Sequence, residues 1–144
     1  MGAAGFIVHD DLACMVDAAY RFSRFLSIES CGQCPPCKIG SSEITARLEG
    51  IETGTGADDD LGAIHGWLER LTDGNRCFLA VEEQRLVSSV LRAFPDEFAE
   101  HIEQQRCPRP GPRSFPKLLD LVGGEPTYDE RFWRKRPDWT YDPE

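Results

Sequence analysis

The sequence predicts an all-α fold, a small bundle of four to five helices followed by an irregular C-terminal tail. Three observations carry this expectation. Apolar residues recur at helical spacing through most of the chain up to Gln105, turn-forming residues cut that pattern into segments of helical length, and the pattern stops at Cys107, where a run to Pro116 holds four prolines and a glycine.

The opening, Gly2 to Val8, is a glycine-containing lead-in that ends in Phe6-Ile-Val8. Leu12, Met15, Val16, Ala19, Phe22 and Leu26 then share one helical face, and Asp10 or Asp11 can cap it, which predicts a first helix over 11–28. Gly32 and two prolines break the chain. Pro36 suits the first turn of a second helix over 36–52, with Ile39, Ile44, Leu48 and Ile51 on its apolar side. After a loop over 54–60, in which Asp58, Asp59 and Asp60 read as a solvated helix start, Leu61, Ile64, Trp67, Leu68 and Leu71 mark a third helix ended by Asp73-Gly74. Val81, Leu86, Val87, Val90, Leu91 and Phe94 mark a fourth. Pro95 opens a short fifth segment to Gln105, with Asp96 and Glu97 in its first turn as the helix dipole prefers. The expected organisation is a helical domain over 1–106 and a Pro-rich, charged and aromatic tail over 107–144, whose Phe132, Trp133, Trp139 and Tyr141 are candidates for anchoring a partner or packing on the domain itself.

Composition excludes several roles. With 25 acidic against 16 basic residues the net charge is -9, a poor match to nucleic acid, whose binding rests on neutralising phosphates. No apolar run approaches the ~18 residues of a membrane span. No charged segment followed by an apolar one marks export, and Met1-Gly2-Ala-Ala-Gly-Phe6 lacks the hydroxyl residue of a myristoylation signal, so the expected location is the cytoplasm, at the membrane only through a complex.

The chemistry is concentrated in Glu29-Ser-Cys-Gly-Gln-Cys-Pro-Pro-Cys-Lys-Ile-Gly40. Cys31, Cys34 and Cys37 place three thiolates on one tight loop, the spacing with which a short segment ligates three corners of a [4Fe-4S] cluster. Ser41 stands where a bacterial ferredoxin pattern would continue with cysteine, so one cluster is expected. The fourth thiolate comes from Cys14, Cys77 or Cys107. Cys77 is favoured because it follows the turn-forming Thr72-Asp-Gly-Asn-Arg76 and can fold back onto the loop. Cys14 reads as a small buried hydrophobe inside a helical pattern, and Cys107 as a thiol with no framework to fix it.

Disulfides are disfavoured by the missing export signal. A zinc-stapled, four-cysteine structural or interaction domain is the main alternative, although structural zinc sites more often pair two separated Cys-x2-Cys knuckles. A third reading is a helical bundle that binds partners without metal.

Cys37 falls in the first turn of the second helix, where free backbone N–H groups and the dipole would face an anionic cluster, and Gly32 and Gly40 would allow close backbone approach. Lys38 and Arg76 flank presumed ligands, where positive charge favours the reduced state; as surface cations they would do neither harm nor service. His9, His65 and His101 are scattered and read as surface or capping residues.

Ser30-Cys-Gly-Gln-Cys-Pro-Pro-Cys-Lys-Ile-Gly40 resembles the Ser-Cys-Gly-Lys-Cys-Thr-Pro-Cys-Arg-x-Gly signature of the NADH-binding flavoprotein subunit of respiratory complex I, shared by related subunits of NAD-linked hydrogenases and formate dehydrogenases. Gly2-Ala-Ala-Gly-Phe-Ile-Val8, Cys14-Met-Val16, Asn75-Arg-Cys77 and Phe94-Pro-Asp-Glu-Phe-Ala-Glu-His101 resemble the segments around it, so the likeness covers Gly2 to Pro108. Gln33, Pro35 and Lys38 depart from that signature. The resemblance implies a helical bundle holding one [4Fe-4S] cluster on Cys31, Cys34, Cys37 and Cys77, which takes electrons from a flavin and NADH-oxidising partner subunit and relays them to further iron-sulfur subunits of a redox complex. No Gly-x-Gly-x-x-Gly follows a strand, so no FMN or NAD site is expected in this chain, nor oxidation of NADH by it alone. The chain is expected to be either an independent electron-carrying subunit or one piece of a split or truncated flavoprotein.

Overall fold

The computed structural model describes residues 7–110 and 118–128. Five helices follow in order: α1 (Met15–Glu29), α2 (Pro35–Thr53), α3 (Asp58–Arg70), α4 (Leu79–Ala93) and α5 (Pro95–Gln104). The central helix is α2. It packs against each of the other four, α1 and α3 most extensively, while α4 lies on α1 and α5 closes the far end. Ile44, Leu48 and Ile51 of α2 are fully buried, as are Val16, Ile64, Leu71, Val87 and Phe98 around them. Removing any one of these side chains down to Ala leaves a cavity worth about 2–5 kcal/mol.

The first helix begins later than its apolar spacing implies. Leu12 is exposed, and Asp10 does not cap a helix; its carboxylate accepts from Leu12 N–H at 3.2 Å and closes a turn ahead of it. The cap is Cys14, whose sulfur accepts from Asp17 N–H at 3.4 Å, and the orphan N–H of Met15 donates to the Glu97 carboxylate of α5 at 2.9 Å. A contact from a distant helix thus sets the boundary, which local spacing does not encode. At the start of α3, Asp60 behaves as a helix-start acid, its carboxylate accepting from Ala57 N–H at 2.9 Å and pairing with Arg47 at 2.6 Å. Trp67 is half-buried against the core with the Arg70 guanidinium 5.0 Å from its ring centre.

The tail carries regular structure that helical spacing missed. Strands β1 (Leu118–Val122) and β2 (Glu125–Tyr128) pair antiparallel across Gly123 and Gly124, both at positive φ, the two-residue turn that glycine pairs favour between strands. Both strands are exposed along their whole length. Phe132, Trp133, Trp139 and Tyr141 lie outside the described residues, as does most of the lead-in before Ile7.

A buried polar chain ties α1, α2 and α4 together. Thr45 Oγ1 donates to the Ser41 carbonyl at 2.7 Å, Ser23 Oγ lies 2.8 Å from Thr45 Oγ1, and Ser23 Oγ lies 2.7 Å from Glu83 Oε1. Glu83 is wholly buried, and its other oxygen has no partner among the described residues. Burial pushes its carboxyl up to about 7, against the opposing hydrogen bond from Ser23.

Gly54 ends α2 at φ 83, and a Cβ there would run into the Gln105 carbonyl, whereas Gly62 on exposed α3 has open space beside it. Gly54→Ala should cost at least about 1–2 kcal/mol and Gly62→Ala should gain up to about 1 kcal/mol, read by anaerobic thermal unfolding. For Glu83, a folded pKa above the unfolded one means that stability is fully present below the ordinary 4.5 and is lost as pH rises through about 7. Glu83→Gln escapes that loss, so its stability relative to wild type should rise by about 2 kcal/mol between pH 5.5 and pH 8; a flat difference across that range would contradict the assignment.

Candidate metal centre

The cysteine triplet straddles the start of α2. Cys34 is the N-cap residue, Pro35 and Pro36 occupy the first two helical positions, and Cys37 follows in the first turn with its side chain buried. The prolines fix helical φ from the outset. They also subtract two of the four orphan N–H groups at this terminus, so fewer backbone donors face the loop than a generic helix start would offer. Gly32, at φ 78, reverses the chain between Cys31 and Cys34. Gly40 serves the helix packing and not the loop: a Cβ on it would come within 2.8 Å of Leu71 Cδ1, so it lets α2 approach the end of α3.

Cys77 arrives from the opposite side, on the loop between α3 and α4. Gly74 turns that loop at φ 63, and Asn75 Nδ2 donates to the Cys77 carbonyl at 3.0 Å. One small cleft is lined by Cys31, Cys34, Cys37 and Cys77, with Ser30, Arg76 and the apolar Leu79 and Ala80 completing its wall. Cys31 and Cys77 are exposed, Cys34 is half-buried and Cys37 is buried, so the cleft opens to solvent along its Cys31 and Cys77 edge. Of the two flanking cations, Arg76 lines the cleft and Lys38 does not. Burial raises the Cys37 thiol, a Ser30 hydroxyl 3.5 Å away opposes this, and Glu83 and Cys77 add to the rise.

A cubane binds each of its four thiolates to a different iron, and four thiols from two separate loops line this one cleft.

The two remaining cysteines are gathered elsewhere. Cys14 is no interior helix residue but the α1 cap, and Cys107 is held against the core rather than left without a framework. Both lie with Glu52 and His101 in a group whose ligand atoms are all within 4.8 Å of one another. His101, expected as a surface or capping residue, is fully buried, whereas His9 and His65 are exposed. Burial opposes charge on His101, but hydrogen bonds to Glu52 and to the Glu97 carbonyl raise it to about 9. Burial raises both thiols, that of Cys107 to about 11 with the help of Glu52. The only sequence signal for this group was the mixture of cysteine and histidine near both ends of the bundle, which no local spacing connects.

Comparison with known proteins matches residues 17–101 to the family described as NADH-ubiquinone oxidoreductase-F iron-sulfur binding region. The chain is 33% identical over 108 residues to the HndC subunit of the NADP-reducing hydrogenase of Solidesulfovibrio fructosivorans, covering 75% of this chain and 22% of that one. It is 36% identical over 108 residues to an F subunit of the NADH-quinone oxidoreductase of Rhizobium meliloti, covering 75% and 26%. To the F subunit of the Aquifex aeolicus NADH-quinone oxidoreductase it is 29% identical over 104 residues, covering 69% and 24%. The chain therefore spans about a quarter of the length of these relatives. Five helices with a four-cysteine cleft, matched over the residues that build it, make this chain a member of the NADH-ubiquinone oxidoreductase-F iron-sulfur binding family, whose cofactor is a [4Fe-4S] cluster.

Proposed function

We propose that Cys31, Cys34, Cys37 and Cys77 together ligate one [4Fe-4S] cluster, and that the chain relays electrons from a flavin and NADH-oxidising partner subunit to further redox centres. The single observation that carries this reading is the convergence of these four thiols, from two separate loops, on one cleft within the matched residues. The cluster supplies one-electron chemistry. The protein's own residues supply the rest.

Cys34 and Cys37 sit at a helix N-terminus, whose dipole favours the anionic thiolates. Leu79 and Ala80 keep water from the inner wall, and the exposed Cys31 and Cys77 leave one edge open, the direction in which electrons enter or leave. Phe78, directly after Cys77, is exposed and lines an apolar groove with Phe22, Phe25 and Leu86, a surface suited to a partner subunit close to that edge. No helix among the described residues is long and apolar enough to cross a membrane, so any place at a membrane would come through that complex.

The ligand set is tested by anaerobic purification with iron, sulfide and EPR analysis. Wild type should hold about four iron and four sulfide and give an EPR signal on reduction. Cys77→Ser should lose most of the iron or convert the cluster, while Cys107→Ser should keep it; cluster loss in Cys107→Ser with retention in Cys77→Ser would assign the fourth corner to the wrong thiol, and zinc without sulfide in wild type would replace the redox reading with a structural one. Arg76, on the cleft wall, should favour the reduced cluster. Arg76→Gln is expected to lower the midpoint potential by on the order of tens of millivolts, less at high salt, in a redox titration followed by EPR.

A further inference from the structure

We infer that Cys14, Glu52, His101 and Cys107 form a second metal site, a mixed-ligand zinc centre separate from the cysteine cleft. Cys14 Sγ lies 3.2 Å from His101 Nε2 and 3.5 Å from Glu52 Oε2, and His101 Nε2 lies 3.2 Å from Glu52 Oε2. With Cys107 Sγ, all four atoms fall within 4.8 Å of one another. Zn–S arms of about 2.3 Å and Zn–N or Zn–O arms of about 2.0 Å place tetrahedral ligands about 3.3–3.8 Å apart, so small side-chain shifts bring every donor into range. Two thiolates, an imidazole and a carboxylate suit zinc, which takes all three donor types.

The surroundings are those of a prepared ligand set. His101 Nδ1 lies 2.6 Å from the Glu97 carbonyl and donates to it, so Nε2 faces the other three donors and becomes the ligand atom once an incoming ion displaces its proton. Glu97 is itself fixed, accepting from Met15 N–H at 2.9 Å and pairing with Arg109 at 3.1 Å. Cys107 is positioned by the turn that ends α5: Gln105 adopts φ 50 and its side-chain amide donates to the Gly56 and Ile102 carbonyls, both at 2.9 Å. Cys14 and His101 are fully buried. A plain Glu52–His101 ion pair would account for two of these residues but leaves two thiols converging on the same point.

The four ligands come from the cap of α1, the last turn of α2, α5 and the segment after it. A bound ion would staple the opposite end of the bundle from the cleft. Cys37 and Glu52 are fifteen residues apart on one helix, about 22 Å along its axis, so the two centres share no ligand.

Zinc, iron and sulfide are measured together on the full chain purified anaerobically and incubated with zinc, then desalted. About one zinc per chain beside the iron is expected, with an X-ray absorption first shell of two sulfurs and two nitrogen or oxygen atoms. A shell of four sulfurs would put the zinc in the cleft and overturn the proposal, as would no zinc retained. Cys107→Ser, on the half-exposed segment beyond the helices, should weaken zinc at least about tenfold in competition with a chromogenic chelator while iron content holds; unchanged affinity would also overturn it. Cobalt binding to wild type adds a readout that needs no variant: thiolate-to-cobalt charge-transfer bands should appear, and their absence counts against the site.

Discussion

The structure hangs on where α2 begins. Two consecutive prolines leave the chain almost no choice: both have φ fixed near the helical value, and the residue before a proline is driven out of the helical region. Cys34, at φ -108 and ψ 108, is therefore held extended as the cap, and Cys37 is carried into the first turn. That single boundary splits the triplet so that Cys31, Cys34 and Cys37 point into one cleft from a loop, a cap and a helix. Because α2 also packs against every other helix, moving its start would shift the core with it.

Packing around α2 is less apolar than a central helix would suggest. Gly40, Ser41 and Thr45 face inward beside Ile44 and Leu48. Small and hydroxylated residues admit close neighbours, and the hydroxyls are then obliged to find partners, which they do in the chain from Ser41 through Thr45 and Ser23 to Glu83. Each hydroxyl has one proton to give. With Glu83 ionised, Ser23 must choose between two acceptors; with Glu83 neutral, the carboxyl can donate to Ser23, Ser23 to Thr45 and Thr45 to the Ser41 carbonyl, so every donor is used. The raised carboxyl of Glu83 follows from a buried site with no cation among the described partners, and protonation lets this chain of hydroxyls use every donor.

Legibility in the sequence follows how local each determinant is. The five helices were readable because apolar spacing, prolines and the Asp73-Gly74 turn are local signals, and the ends of α2, α4 and α5 fall within a residue or two of them. The cysteine cleft was readable for the same reason: three thiols lie within seven residues, and the fourth follows a turn. The start of α1 was not, because Glu97, eighty-two residues away, supplies the partner that makes Met15 the first helical residue. The hairpin was missed because its signal is a Gly123-Gly124 turn between two short strands, invisible to a search for helical spacing.

His101 shows where sequence reasoning gives out. On a short amphipathic helix a lone histidine beside acidic residues has every mark of a surface position, and only the fold reveals that α5 turns this residue inward onto the cap of α1 and the end of α2. A buried imidazole needs partners on both nitrogens. The Glu97 carbonyl satisfies one, and the other faces a carboxylate and two thiols. The six cysteines thus divide by position along α2: four line the cleft at its N-terminal end, and two gather with Glu52 and His101 at its C-terminal end. One helix separates a cleft whose Cys31 and Cys77 are exposed from a group whose Cys14 and His101 are fully buried, and its length keeps the two from sharing a side chain.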